Sequence, residues 1–326
     1  MLISRTPLRL SIGGGGTDLP SYYRQRSALV ISAAINRYCY IAVNRTFVDD
    51  YFVKYSELER ARTIDELRHP IIREALRMQQ IEPGIEIASM ADIPAGTGLG
   101  SSGTFAVGLL RALHAIKREH VSAQTLAEEA CQLEIDVLRQ PVGKQDQYIA
   151  AFGGLTCFQF HPDGSVDVTP LAIPEVALQQ LEEHLLLFFT GYSRSAAAIL
   201  NDQDSRSLSG DRSMLDSLQF TAELAARIRT TLEAGDCTAF ADLMNEHWQH
   251  KRARSPGISN DMIDEWYRMA LDNGARGGKL VGAGAGGFLL FYADEPATLR
   301  AAMAAKGLDE TRFRFDFDGS IVLARG

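Results

Sequence analysis

The chain has 326 residues, a length that predicts one large or two medium-sized domains. Hydrophobic residues make up 46% and charged residues 23%, a globular composition that excludes a disordered, collagen-like or disulfide-stapled chain. The 41 acidic residues outnumber the 33 basic ones, and the formal charge of -8 has the wrong sign for a general binder of nucleic acid or of anionic membranes. Any phosphate that the protein binds must therefore be recognised by local chemistry.

The cysteines and the apolar runs predict a protein of a reducing, aqueous compartment. Cys39, Cys131, Cys157 and Cys237 lie far apart and form no CxxC pattern, so they indicate buried thiols rather than a zinc site or a disulfide framework. The opening segment lacks a signal-peptide pattern, and the longest apolar stretches, such as 185–189, are too short to span a bilayer. We expect a cytoplasmic protein without a nucleic-acid or membrane partner.

The first half of the chain reads as strands followed by two helices. Alternating apolar segments fill the first sixty residues around one glycine block, and a second glycine block at 94–103 leads into a helix with apolar residues at helical spacing. Ser122 is a predicted N-cap of a second helix that ends before Pro141. The face of that helix predicted to be buried comprises Leu126, Ala130, Leu133 and Val137.

The turn sequence HPDG at 161–164 lies close to the predicted domain change, which gives domains 1–172 and 173–326. Beyond it the pattern predicts a buried strand at 185–189, long helices before and after Gly235, and then alternating helices and strands that end with a strand at 312–317. The serine-rich segment near Ser205 reads as a mobile loop. The expected fold class is α+β, with helices packed on one face of a sheet.

Three glycine blocks carry the functional signal. In the central one, PAGTGLGSSG at 94–103, glycines would let backbone N–H groups approach an anion while the following helix offers its positive end. Ser101 and Ser102 stand at that helix start, where hydroxyls can cap the helix or bind a phosphate oxygen or Mg²⁺. No Gly-Lys-Ser/Thr follows, so the block is not a Walker A loop.

This central block resembles the nucleotide-phosphate loop of the GHMP kinases, the family of galactokinase, homoserine kinase and mevalonate kinase. The block at 5–18 resembles the first motif of that family, and KLVGAGAGG at 279–287 resembles its third. The resemblance implies an N-terminal domain like domain 2 of ribosomal protein S5, a C-terminal ferredoxin-like domain, a site between them, and ATP with Mg²⁺ as cofactors. It implies nucleotide contacts from Pro94, Gly96, Gly98, Leu99, Gly100, Ser101, Ser102 and Gly103.

The same resemblance implies the catalytic roles. Asp146, in GKQDQ, aligns with the candidate base for the acceptor hydroxyl, and Arg9 stands where the family has a basic residue beside it. Glu134, twelve residues before Asp146, corresponds to a magnesium-ligating glutamate, with Ser102 opposite. Taken alone, these side chains would be a solvated loop carboxylate, a salt-bridged arginine at a strand end and an exposed helix acid.

Substrate contacts are expected at the first and third blocks. Asp18 resembles a sugar-hydroxyl-binding position, although it could instead cap a following helix. For the phosphate of a sugar phosphate, Arg194 is the first expectation, with Lys144, Arg37 and Lys251 as the other cations. His247 and His250 read as a helix surface rather than a zinc site. The remaining predicted substrate-binding residues are Gly15, Gly16, Thr17, Gly284, Gly286 and Gly287.

Within the family, the segments 5–23 and 140–154 are most similar to heptose 7-phosphate kinases. The resemblance therefore implies phosphorylation of the anomeric hydroxyl of a heptose 7-phosphate, on a route to nucleotide-activated heptose for capsule or lipopolysaccharide, by a chain that could form a homodimer. The alternatives are a fucokinase-like or other free-sugar 1-kinase and a catalytically silent sensor. A dinucleotide-binding fold is disfavoured because Asp18 would occupy the third glycine position of its fingerprint.

Overall fold

The computed structural model describes residues 1–191, 197–284 and 286–325. Its N-terminal half is built on an eight-stranded sheet whose main path runs β11-β1-β2-β5-β3-β4, with β6 on β2 and β7 on β6. The strands are β1 Leu2–Gly13, β2 Ala28–Arg45, β3 Tyr51–Lys54, β4 Leu58–Ala61, β5 Ile85–Ala91, β6 Leu155–Phe160, β7 Val166–Pro170 and, at the far end of the chain, β11 Ile321–Arg325.

The 18-residue strand β2 splits this sheet into two arms. Its first part pairs with β6 through Ala28 to Ala33, and its last part pairs with β5 through Cys39 to Arg45. Strand β1 runs antiparallel to β2 along nearly its whole length, which places Arg9 opposite Ala34 in the middle of the sheet. The hairpin of β6 and β7 confirms the turn predicted at 161–164.

Helices cover one face of the sheet in this half. They are α1 Pro20–Tyr23, α2 Pro70–Met78, α3 Ser101–Ile116, α4 Ala123–Cys131 and α5 Gln145–Phe152, with a short 3-10 helix Ile64–Glu66. Helix α3 lies directly on β1, because Gly108 allows close approach: a Cβ there would stand 2.8 Å from the Thr6 hydroxyl oxygen. Ser4 adds a hydrogen bond of 2.8 Å to the Gly108 carbonyl.

The helix predicted to follow Ser122 is present, but its last turns are wider than expected. The Ser122 hydroxyl caps α4 by accepting from the Thr125 N–H at 3.0 Å, as predicted. From Gln132 to Val137 the chain is a π-helix, which adds a residue to the turn and rotates the following side chains. The prediction that Val137 is buried is therefore wrong: its side chain is 47% exposed. Glu134 instead faces inward and is 1% exposed.

The C-terminal half contains a three-stranded antiparallel sheet in the described residues, in the order β8-β10-β9. Its strands are β8 Leu185–Phe189, β9 Ala275–Leu280 and β10 Phe288–Ala293. Its helices are α6 Glu175–His184, α7 Ala197–Leu208, α8 Arg212–Glu233, α9 Cys237–Arg254, α10 Asp261–Asp272 and α11 Pro296–Ala305. No helix in the described part of the chain is both long and apolar enough to cross a membrane.

Two expectations for this half are wrong. The segment near Ser205 belongs to α7 rather than to a loop, because Gln203 and Ser207 are buried against neighbouring elements despite the polar sequence. The segment 312–317 is irregular, with a single bridge from Phe315 to Ile35, and the regular strand β11 follows it. Tertiary contacts decided both cases, against the local pattern of each segment.

The two halves share an apolar core, which is one of three buried clusters in the described residues. Leu8, Leu10 and Ile12 of β1 pack in a cluster with Phe240 of α9 and Leu290 of β10. The chain also returns to the first sheet at its end, where β11 pairs with β1. The division at residue 172 stays a prediction, and the shared core places the N-terminal and C-terminal glycine blocks against one another.

Candidate active site

A cavity of about 330 Å³ lies where the three glycine blocks meet. The predicted site residues in its lining are Arg9, Gly15, Gly16, Asp18, Gly96, Gly98, Gly100, Ser101, Ser102, Asp146, Gly284 and Gly286. Pro94, Leu99, Gly103, Glu134, Thr17, Lys144 and Gly287 are described by the structure but are not part of that lining. Arg194, the first expectation for the substrate phosphate, lies outside the described residues.

The central glycine block forms a loop whose backbone turns toward the cavity. Gly96, Gly98 and Gly100 have φ values of 77°, 85° and 77°, a left-handed conformation that side chains with a Cβ rarely adopt. Gly100 is the N-cap of α3, so the free N–H groups of that helix start at Ser101. Backbone N–H groups at a helix N-terminus favour anions, so this loop, called the phosphate loop below, is suited to a phosphate group.

The third glycine block packs backbone to backbone against this loop. A Cβ at Gly287 would lie 2.1 Å from the carbonyl oxygen of Thr97, and one at Gly282 would lie 2.5 Å from Cα of Gly98. These contacts are too short for any side chain, so glycine is required at both positions. The C-terminal half thereby braces the phosphate loop.

Asp146 and Arg9 form a two-point ion pair at the base of the loop. Nε of Arg9 donates to one carboxylate oxygen of Asp146 at 2.7 Å, and Nη2 donates to the other at 3.0 Å. Nη1 of Arg9 donates to the Gly98 carbonyl, and the Arg9 N–H donates to the Leu99 carbonyl at 3.0 Å. The Asp146 side chain remains 29% exposed, toward the cavity. Its carboxylate is therefore oriented and accessible to a hydroxyl group.

Glu134 lies behind the loop within a small polar cluster. One of its oxygens accepts from the Ser102 hydroxyl and the other accepts from Nε2 of Gln147 at 2.7 Å. Burial raises the pKa of Glu134 to about 7, although both hydrogen bonds act to lower it. The amide oxygen of Gln147 is buried without a hydrogen-bond partner in the described structure.

These oxygen atoms fit a magnesium ion better than a zinc ion. Hydroxyl and carboxylate oxygens are the ligands Mg²⁺ prefers, and Mg²⁺ needs one or two of them besides water and phosphate oxygens. Among the described residues, no group of three or more His, Cys, Asp or Glu side chains is arranged so that it could hold a metal ion. Ser102 and Glu134 could hold a magnesium ion that is completed by nucleotide phosphates.

Asp18 ties the first glycine block to the segment that contains Asp146. Its carboxylate accepts from the N–H of Gly16 at 2.9 Å and from the N–H of Gln145 at 3.0 Å. Burial raises the pKa of Asp18, against the effect of these hydrogen bonds. The Thr17 hydroxyl is used within the loop, where it donates to the Gly14 carbonyl at 2.7 Å. Sugar binding by Asp18 stays a prediction.

Two of the predicted phosphate-binding cations have other partners. Nζ of Lys144 donates to the Gly164 carbonyl at 2.6 Å and lies 5.2 Å from the centre of the Tyr23 ring. Arg37 donates to the Arg312 carbonyl in an exposed contact. Neither side chain lines the cavity.

A group of basic residues that the sequence did not single out together lies in the cavity instead: His247, Lys251, Arg254 and Lys279. The interpretation of His247 as a helix-surface residue is wrong, because its side chain is 3% exposed, while His250 is exposed as expected. The spacing of 247, 251 and 254 places these residues on one face of a helix, and that periodicity was the available signal.

Three features of the site are typical of a nucleotide-dependent phosphotransferase. They are the glycine loop at a helix N-terminus, an oriented carboxylate and a candidate magnesium site. The comparisons with known proteins give the family. The model of the GHMP kinases N terminal domain matches residues 66–154, and that of the GHMP kinases C terminal domain matches residues 228–309. The chain belongs to the GHMP kinases, which take a phosphoryl group from ATP and transfer it to an alcohol acceptor.

Relatives match the chain over nearly its whole length. It is 29% identical over 303 residues to the D-glycero-alpha-D-manno-heptose 7-phosphate kinase of Campylobacter jejuni, with 89% of both chains covered. It is 26% identical to the bifunctional fucokinase/GDP-fucose pyrophosphorylase of Arabidopsis thaliana, a match that covers 89% of this chain and 29% of that protein.

Solved structures agree on the fold. A D-glycero-D-manno-heptose 1-phosphate kinase from Bacteroides thetaiotaomicron matches with a TM-score of 0.81 at 24% identity, over 100% of both chains. A putative sugar kinase from Campylobacter jejuni matches with a TM-score of 0.77 at 26% identity, over 98% of this chain and 97% of that one.

Proposed function

We propose that the protein is an ATP- and Mg²⁺-dependent sugar kinase that phosphorylates the anomeric hydroxyl of D-glycero-D-manno-heptose 7-phosphate. The observation that supports a kinase is the Arg9–Asp146 pair beside the phosphate loop, with one carboxylate held by two hydrogen bonds. The support for a heptose phosphate as the acceptor is the similarity to the Campylobacter jejuni kinase over 89% of both chains.

The pair at the base of the loop accounts for the chemistry at the acceptor. The Asp146 carboxylate accepts the proton of the sugar hydroxyl as that oxygen bonds to the γ-phosphorus of ATP. The bond from the γ-phosphorus to the bridging oxygen breaks, and ADP leaves with the electron pair. Arg9 uses three donor atoms in its bonds to Asp146 and Gly98, and a guanidinium has five N–H groups. The remaining N–H groups can donate hydrogen bonds to the phosphoryl group during its transfer.

The phosphate loop and the polar cluster behind it account for the donor. Backbone N–H groups from Gly96 to Ser102 bind the phosphates of ATP at the start of α3. Ser102 and Glu134 would hold the magnesium ion, which would neutralise phosphate charge when bound. Glu134 must be ionised for this role; burial raises its pKa to about 7, and the two hydrogen bonds it accepts oppose that rise.

A coupled assay of ADP release with ATP and Mg²⁺ tests the proposal on a panel of acceptors. The panel contains sedoheptulose 7-phosphate, D-glycero-D-manno-heptose 7-phosphate, mannose 6-phosphate, fucose, galactose and mannose. Turnover confined to the aldoheptose phosphate is expected. Turnover only with free sugars would contradict the proposed substrate and favour a fucokinase-like enzyme, for which the match to the Arabidopsis fucokinase is the supporting observation.

ATP binding without turnover of any acceptor would instead indicate a sensor. The presence of Arg9, Ser102, Glu134 and Asp146 in one site supports an active enzyme over this alternative. We place the reaction in the cytoplasm, on a route to nucleotide-activated heptose for capsule or lipopolysaccharide. A homodimer is compatible with this function.

A further inference from the structure

Four basic side chains meet in the cavity beside the first glycine block. His247, Lys251 and Arg254 lie along α9, and Lys279 lies on β9, which packs against that helix. Nζ of Lys279 lies 3.5 Å from Nδ1 of His247, and both side chains are less than 4% exposed to solvent, at 2% and 3%. These four residues are called the basic cluster below.

The basic cluster has no acidic counterpart in the ranges that the structure describes. Its hydrogen bonds go to neutral groups: Lys279 to the Ile12 carbonyl at 2.8 Å, Lys251 to the Leu280 and Gly282 carbonyls, and Arg254 to the hydroxyls of Ser217 at 3.0 Å and Thr221 at 2.6 Å. Burial lowers the pKa of Lys279 to about 7 and that of Arg254 to about 10. Buried cations without a counter-ion are unfavourable, so this arrangement is suited to an anionic ligand.

The basic cluster faces the acceptor side of the cavity. A Cβ at Gly16 would stand 3.3 Å from Nη1 of Arg254, and Lys279 is bonded to Ile12 immediately before the first glycine block. The nucleotide loop has its own cation, because Gly98 and Gly100 contact Arg9. The cavity therefore has two groups of donors suited to anions, one at the start of α3 and one at α9 and β9.

We propose that the basic cluster binds the phosphate monoester that the sugar substrate already carries, away from the hydroxyl that Asp146 serves. This inference rests on the proposed function, since it requires a sugar acceptor in the same cavity. Arg254 offers a planar set of donors that matches phosphate oxygens, and Lys279 adds a compact charge. A free sugar would leave the buried Lys279 and the partly buried Arg254 without an anion, so the enzyme is expected to discriminate against unphosphorylated sugars.

Steady-state kinetics with Arg254→Gln test this assignment, with Arg252→Gln as the matched control. Arg252 lies on the same helix but is paired with Asp264 at 2.9 Å, and it does not line the cavity. Arg254→Gln is expected to raise the KM for the sugar phosphate by about 10- to 100-fold, while kcat and the KM for ATP change by less than about threefold. Arg252→Gln is expected to behave as the wild type. A parallel rise in the KM for ATP would overturn the assignment, because the basic cluster would then bind nucleotide phosphate.

Calorimetric titration with inorganic phosphate, which needs no turnover, separates this inference from the proposed function. Phosphate is expected to bind the wild type, to compete with the sugar phosphate and to bind Lys279→Met and Arg254→Gln at least about tenfold more weakly. Phosphate binding by the wild type without turnover of any sugar would contradict the function and keep the basic cluster as an anion site. Normal phosphate binding and normal KM in both folded variants would contradict the inference and leave the function standing. Thermal melting of each variant verifies that it is folded.

Discussion

Asp146 is held by Arg9 through hydrogen bonds of 2.7 and 3.0 Å, so its carboxylate keeps one orientation toward the cavity. We predict that Asp146→Asn lowers kcat by about 10²- to 10⁴-fold, the usual contribution of a general base, while ATP binding stays nearly unchanged. Asp136→Asn, which changes an exposed acid on the nearby π-helix, should leave both quantities as in the wild type. An equal loss of ATP affinity and kcat in Asp146→Asn would contradict the role as base.

Glu134 is buried between Ser102 and Gln147, and a glutamine in its place would keep the shape but lose the charge. We predict that Glu134→Gln raises the Mg²⁺ concentration needed for half-maximal rate by about tenfold or more, because a charged oxygen ligand is lost. Glu128→Gln on α4, where the acid is exposed, is the control. Unchanged Mg²⁺ dependence in Glu134→Gln would remove this residue from the metal site.

We predict that Lys279 makes the stability of the protein depend on pH. Its pKa is lowered to about 7 by burial and by the charge of Arg9, with His247, Lys251 and Arg254 facing it from α9. The unfolded chain binds this proton up to its ordinary pKa of 10.5, so the contribution of Lys279 to stability is most unfavourable below about pH 7 and improves as pH rises toward 10.5.

Denaturant unfolding of the wild type and Lys279→Met at pH 7 and pH 9 measures this effect. The free energy of unfolding of the wild type, relative to that of the variant, should increase between these two values. Added phosphate at pH 7 should stabilise the wild type more than the variant, since the anion offsets the charge of the lysine. If the difference in the free energy of unfolding between wild type and variant were constant with pH, the pKa of Lys279 would not be perturbed.

At the scale of elements, two loops hold the site by direct backbone contact. Gly287 has a φ of 105°, and a Cβ there would lie 2.1 Å from the Thr97 carbonyl oxygen. Gly287→Ala is expected to lower the free energy of unfolding by about 3 kcal/mol and to weaken ATP binding, because the phosphate loop must move.

The matched control for that change is Gly307→Ala, just beyond α11. Gly307 also has a positive φ, 76°, but a Cβ there would meet nothing within 4 Å. Only the backbone strain remains, and a loss of about 1 kcal/mol with normal ATP binding is expected. Chemical denaturation and nucleotide titration of both variants separate the effect of backbone strain from that of the contact with Thr97. Equal losses of stability and of ATP binding in the two variants would contradict the proposed bracing of the phosphate loop.

The π-helix at Gln132–Val137 contains the acid that lies against the loop. Within it Val137 is 47% exposed and Glu134 is 1% exposed. π-helical turns inside α-helices are often found at functional sites. Here one carboxylate oxygen of Glu134 accepts from the Ser102 hydroxyl at the start of α3.

At the scale of the whole molecule, the shared core predicts that both halves unfold together. Phe240 on α9 is fully buried with Leu8 and Leu10 of β1. Phe240→Ala is expected to lower the free energy of unfolding by about 3 to 5 kcal/mol and to shift a single calorimetric transition. Phe47→Ala, at a fully exposed side chain, should leave the transition unchanged. Two separate transitions would contradict a common core.

Much of the architecture, and the glycine loops that line the cavity, followed from the sequence. Helix periodicity, the Ser122 cap and the HPDG turn are local signals that depend on neighbouring residues, so they predicted α3, α4 and the β6–β7 hairpin. The three glycine blocks identified the family because positive φ values and close backbone approach require glycine wherever they occur.

The arrangement of the basic cluster was decided by tertiary structure. His247, Lys251 and Arg254 share a helix face in the sequence, but their burial beside Lys279 depends on how α9 packs against β9 and the first sheet. Three other features likewise depend on contacts between residues far apart in the chain. They are the partners of Lys144, the helix near Ser205 and the wider turn at Glu134. Local patterns determine which backbone conformations a segment can adopt. Burial and charge pairing depend instead on the residues that surround a side chain in the folded protein.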